Sequence, residues 1–132
     1  YKKVDFGGFD GLQHWPTIKK MHNEDIFDDA VRWSPFNVLA TTSLTDYSPK
    51  EKVPKTGFEG LMVQEFGKKL EGEKHNSYRF RTIAILYQKI PSGRFCYKLV
   101  KVKGTTMQQP VPEVDITGRG FMEVYLENRG VL

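Results

Sequence analysis

The stretch Tyr78–Gly104, YRFRTIAILYQKIPSGRFCYKLVKVKG, decides the reading of this chain. Its two runs, Tyr78–Ile90 and Phe95–Lys103, are rich in the aromatic and β-branched residues that suit a pleated, half-buried surface. Between them Pro91, Ser92, Gly93 and Arg94 supply the proline and glycine of a tight turn, so the runs read as an antiparallel hairpin. The stretch contains seven cations after Tyr78 and not one Asp or Glu.

That imbalance extends outward. Residues 1–57 hold eight Lys/Arg against eight Asp/Glu, whereas 68–104 hold ten against only Glu71 and Glu73, a local +8. Segments 58–67 and 105–132 carry −2 each, which leaves the formal +4 of the whole chain. Local fields steer anionic partners more than net charge does. The segment therefore points to an anion-binding surface made of Lys68, Lys69, Lys74, Arg79, Arg81, Arg94, Lys98, Lys101 and Lys103. The cations do not fall on one clean face, and edge-strand lysines that discourage sheet-to-sheet pairing are the competing explanation. Exposed Tyr and Phe beside Arg suit base stacking, so the expected partner is a polyanion, nucleic acid or acidic membrane lipid. The run RFCYKLVKVKG does not follow the aromatic–glycine strand pattern of RNA-recognition domains.

The 132 residues, 39% hydrophobic and 27% charged, suit one globular domain. The longest apolar run, IAIL, is too short for a bilayer span. A single cysteine, Cys96, excludes an internal disulfide framework and points to a reducing, cytoplasmic setting, at a membrane surface or within a particle.

Around the hairpin, residues 1–22 read as an irregular arm, with Gly7, Gly8 and Gly11 among Phe6, Phe9, Leu12 and Trp15. Its aromatics Phe6, Phe9 and Trp15 are the candidates for self-association, because glycine-broken aromatics cannot build a core by themselves. An amphipathic helix is expected near residues 24–33. Asn23 is its cap, Ile26, Phe27, Ala30 and Val31 form its apolar face, and Pro35 ends it. Residues 37–45 read as a strand, 46–57 as a Pro-rich loop and 58–66 as an alternating strand. In the last segment Val114, Ile116, Met122, Val124 and Leu126 hold even positions, which predicts one long strand over 114–126 kinked at Gly118 and Gly120. The fold class is α+β, dominated by an antiparallel sheet. The domain runs over 1–132, as an arm (1–22), a helix, strand and loop (23–57) and a β-sheet (58–132).

His14, His22 and His75 stand at no metal-ligand spacing, and no catalytic site is assigned. The glycines of GGFDG and GRG lack the strand–loop–helix context of a phosphate loop, so no cofactor is expected. Carboxylate pairs such as Asp28/Asp29 and Glu123/Glu127 read as solvating charge. The function expected is a non-catalytic binding and assembly domain that contacts a polyanion and associates with copies of itself. The alternative is a small hydrolase or transferase using one of the histidines as acid/base. In physical type alone, being small, basic, β-rich and furnished with an aromatic arm, the chain is similar to the matrix proteins of negative-strand RNA viruses. That resemblance implies a structural role and assigns no residues.

Overall fold

The structure, a computed structural model, describes residues 11–24, 35–72 and 76–130, with side chains from Trp15 onward in the first span. The chain divides into two units, Tyr1–Ser43 with Glu71–Phe80, and Leu44–Leu70 with Arg81–Leu132. Helices and antiparallel sheets together make an α+β fold.

In the first unit, helix α1 spans Gly11–Met21, and residues 22–24 carry its last turn on with wider spacing. This corrects the irregular arm expected over 1–22 for residues 11–22; residues 1–10 lie outside the described residues. Ile18, with Met21 and His22 three and four residues further on, is half-buried with them, while Trp15, Pro16 and Lys20 are exposed. The glycines and Pro16 read as breakers, yet the helix starts at Gly11 and keeps Pro16 inside it. Asn23, expected as the cap of a new helix, lies instead within that continuing turn. Of the helix expected near 24–33, residues 25–33 lie outside the described residues, as do Phe6 and Phe9. Residues 35–43 form no strand. Phe36 and Leu39 are each 78% exposed there, and β-propensity without a face to pack against gives no ladder. A short helical turn, α3, covers Asn76–Arg79, which moves the start of the hairpin past Tyr78.

In the second unit, β1 (Leu44–Thr45) pairs antiparallel with β2 (Lys69–Leu70), and helix α2 (Gly57–Phe66) lies between them in sequence. The loop before α2 is as expected. The helix itself replaces the strand read over 58–66. Phe58, Leu61, Met62, Glu65 and Phe66 recur at intervals of three and four, and Gly67 at φ 67° terminates the helix, its N–H donating to the Val63 carbonyl at 2.8 Å.

The hairpin is present as β3 (Thr82–Gln88) and β4 (Phe95–Val102), and β5 (Val114–Asp115) adds a third strand in the order β3–β4–β5. The register runs Gln88↔Phe95 to Ala84↔Leu99, then shifts so that Ile83 faces Lys101 and Thr82 faces Val102. Val100 is the additional residue of that bulge. The expected strand 114–126 ends at Asp115. A turn with Gly118 at φ 78° leads into helix α4, Phe121–Asn128, where Phe121, Val124 and Tyr125 share one face.

Each side of the sheet has its own core. Leu61, Met62, Ile85, Val100 and Val111 are buried together, with Phe58, Phe66, Ile83 and Tyr87 against them. Tyr97, Ile116 and Val124 form the second cluster, with Leu99 and Phe121 packed on it. Phe121 meets the Tyr97 ring edge-on at 5.0 Å between centroids, and Asn128 Nδ2 donates to Tyr97 Oη at 3.2 Å.

Candidate functional site

The cations of the basic segment meet acids that the sequence places far away. Lys98 Nζ lies 2.9 Å from Glu65 Oε2, whose side chain is only 5% exposed, and 5.6 Å from the Phe66 ring centroid. Glu65 also accepts the Val111 N–H at 3.0 Å. Burial pushes its carboxyl up, but that N–H and the Lys98 ammonium together hold it below the ordinary range. At the turn end Arg94 binds Asp115, whose pKa is drawn down to about 2 by Arg94 first and by Thr117 donors second. Lys89 Nζ sits 3.0 Å from Glu113 Oε1, and the same carboxylate accepts the Tyr87 hydroxyl. Lys68 pairs with Asp46 at 2.5 Å, and Lys69 with Glu51, beside the Tyr47 ring.

Of the nine candidate cations, Lys68, Lys69, Arg94 and Lys98 are therefore already neutralised. Lys74 lies outside the described residues, and Arg79 belongs to α3 in the first unit. Two exposed members, Arg81 and Lys103, take part in no ion pair among the described residues. They sit opposite each other at the open end of the hairpin, where Lys103 N–H donates to the Arg81 carbonyl at 2.8 Å. Directly opposed residues of an antiparallel pair project to the same side, so both charged groups share one face. Lys101, two residues before Lys103, belongs to that end. Its pKa is lowered by burial and then by Lys103, as an ammonium beside a like charge must be.

The sequence reading missed the acids that cross from other elements: Asp46, Glu51, Glu65, Glu113 and Asp115. It also passed over Lys50, Lys52 and Lys55 of the loop before α2, exposed and without an ion pair among the described residues. Their signal was there in a Pro-rich loop, whose side chains have no strand to pack into. Aromatics and free cations are not interleaved on the hairpin. Within β3 and β4 the exposed Phe95, at 50%, lies at the turn, while Arg81 and Lys103 lie at the opposite end; Tyr78 of α3, 71% exposed, precedes Arg81 by three residues.

Trp15, the one described member of the aromatic set, is exposed on α1. His22 is half-buried in the turn after α1. Among the described residues no group of three His, Cys, Asp or Glu is placed to hold a metal, and no helix is long and apolar enough to cross a membrane. No family model, curated protein or solved structure matches this chain.

Proposed function

We propose that this chain is a non-catalytic binding domain that holds an anionic group of a partner at the open end of the β3–β4 hairpin. Arg81 and Lys103 make the contact, and Lys101 adds to the field. The observation that carries the reading is the pairing on one face of two exposed cations that take part in no ion pair among the described residues, beside a third whose pKa is lowered by burial and by Lys103. Arg supplies a planar fork for a carboxylate or phosphate, and Lys a mobile point charge.

Lys68, Lys69, Lys89, Arg94 and Lys98 are committed to internal acids, so the site suits one or two anionic groups at a time. A long polyanion tracking the whole hairpin would have to break the pairs at Lys68, Lys69, Arg94 and Lys98.

The test is a salt series with three probes: polyuridylate RNA, phosphatidylserine vesicles and polyglutamate. Two to three cations give a log–log slope of roughly 1.5–2.5. The R81Q/K103Q double variant should lower affinity at least about tenfold and flatten the slope, with its unfolding midpoint unchanged. A slope above about 4, or one that the double variant leaves alone, overturns the reading.

A further inference from the structure

The open end of the hairpin adjoins a second feature, the outer edge of β3. This strand borders β4 on one side, and no described strand borders it on the other. Two bonds close its ladder: Lys103 N–H to the Arg81 carbonyl and Lys89 N–H to the Arg94 carbonyl, both 2.8 Å. Backbone groups alternate in direction along a strand. Odd-numbered residues of β3 thus turn theirs toward β4, and Thr82, Ala84, Leu86 and Gln88 turn theirs outward.

Natural edges are usually defended by inward charges, proline or a bulge. Thr82–Gln88 contains no charge and no proline, and its bulge lies in β4, on the inner side. Leu86, an outward member, leaves 52% of its surface exposed. The charges stand only at the two ends. Lys89 at one end is answered by Glu113, whereas Arg81 at the other, with Lys103 beside it, is not answered among the described residues.

We infer that the outer edge of β3 receives an extended segment of another polypeptide as a fourth strand, antiparallel to β3, apolar or Thr-rich along its length and ending in carboxylates held by Arg81 and Lys103. Antiparallel pairing places the end of such a segment beside Arg81, and seven residues of strand cover about 24 Å. The inference rests on the anion site proposed above and names its partner.

A second copy of this chain fits the edge worse. Two β3 strands paired antiparallel about Ile85 set Arg81 against Lys89 of the second copy, and a parallel in-register pair sets Arg81 against Arg81. Like charges directly opposite are destabilising. A single-stranded nucleic acid fits worse as well, because it offers no alternating N–H and C=O groups for the outward backbone groups of Thr82, Ala84, Leu86 and Gln88 to pair with.

The test uses the full chain and a synthetic peptide of alternating threonine and valine that ends in two aspartates, with a twin that ends in two lysines. The aspartate peptide should slow amide exchange at Thr82, Ala84, Leu86 and Gln88 at least about tenfold, and the lysine twin should not. R81Q/K103Q should weaken binding about tenfold yet keep the same protected amides at saturation. A peptide N-methylated at the alternate positions whose N–H groups would face β3 should not bind, whereas the one methylated at the other set should. Equal binding of the lysine twin, or protection away from β3, overturns the inference. So does a dimer of the free protein that protects the same four amides. Binding of RNA or phosphatidylserine vesicles that needs Arg81 and Lys103 but leaves β3 exchange unchanged overturns the added strand while retaining the anion site. Loss of every charge-dependent signal overturns both.

Discussion

Glu65 joins three parts of the second unit, because α2 carries it, β4 sends Lys98 to it and the segment before β5 sends the Val111 N–H. Removing one partner of a largely buried pair leaves the other charge or donor unanswered, which costs more than the pair contributes. Glu65→Ala is therefore expected to lower stability by about 2–3 kcal/mol in urea unfolding. Glu65→Ala combined with Lys98→Met should recover part of that loss. A double variant less stable than the single one would mean that the ammonium, not the unanswered charge, holds the site together. Arg119 gives the contrast. It pairs with Glu123 and Glu127 on the solvent side of α4, and replacing it should cost less than about 1 kcal/mol.

At the scale of elements, α4 is tested by Met122 and Val124. Val124 is 5% exposed against Tyr97 and Ile116, and Met122 is 45% exposed. Val124→Asp should cost about 3 kcal/mol or more, while Met122→Lys and Glu123→Lys should leave the urea midpoint within about 0.5 kcal/mol. A continuous strand would instead make Met122→Lys as harmful as Val124→Asp. The alternation that suggested the strand has a numerical origin. Phe58, Met62 and Phe66 are spaced by four, as are Arg119, Glu123 and Glu127, and four is a multiple of both the strand period and, closely, the helical one. The informative residues were Leu61, Tyr125 and Asn128, which satisfy only the three-and-four pattern, and Gly67, which marks a helix end. The hairpin was legible because its β-branched runs and its turn agree; the helices beside it were not. Gly60 offers a further test. A Cβ there would stand 2.6 Å from the Lys55 carbonyl carbon and 2.8 Å from its oxygen. Alanine ordinarily gains about 1 kcal/mol over glycine inside a helix. Gly60→Ala should instead lose about 1–3 kcal/mol, because the backbone of the preceding loop must move.

For the whole molecule, the sequence makes the charge asymmetry plain but cannot show its cancellation, which depends on long-range pairing by Asp46, Glu51, Glu65, Glu113 and Asp115. Of the nine cations that read as one basic surface, Arg81, Lys101 and Lys103 are brought together at one end by the hairpin register, which the sequence alone does not single out. The same cancellation fixes a pH response. The carboxyls of Glu51, Glu65, Glu113 and Asp115 all lie below their ordinary values, Asp115 at about 2. Groups depressed on folding contribute stability above their unfolded pKa and lose it as pH falls through the folded one. The urea midpoint should accordingly be flat from about pH 8 to pH 5 with respect to these groups and fall between about pH 5 and pH 2. Glu113→Gln with Asp115→Asn should start lower and fall less steeply. A midpoint that rises on acidification would contradict the pairing.

Cys96 lies on β4, the middle strand, and is 1% exposed. Burial first, and the carboxylates of Glu113 and Asp115 next, raise the pKa of its thiol, so the reactive thiolate is scarce even before access is considered. It is also the sole sulfhydryl of the chain. An alkylating reagent therefore has one target, reachable only when the middle of the sheet is uncovered. The molecule carries its own clock for that event. Labelling in native buffer should run at least about a thousandfold slower than in urea. An added strand at the β3 edge should lengthen the delay without touching the sulfur.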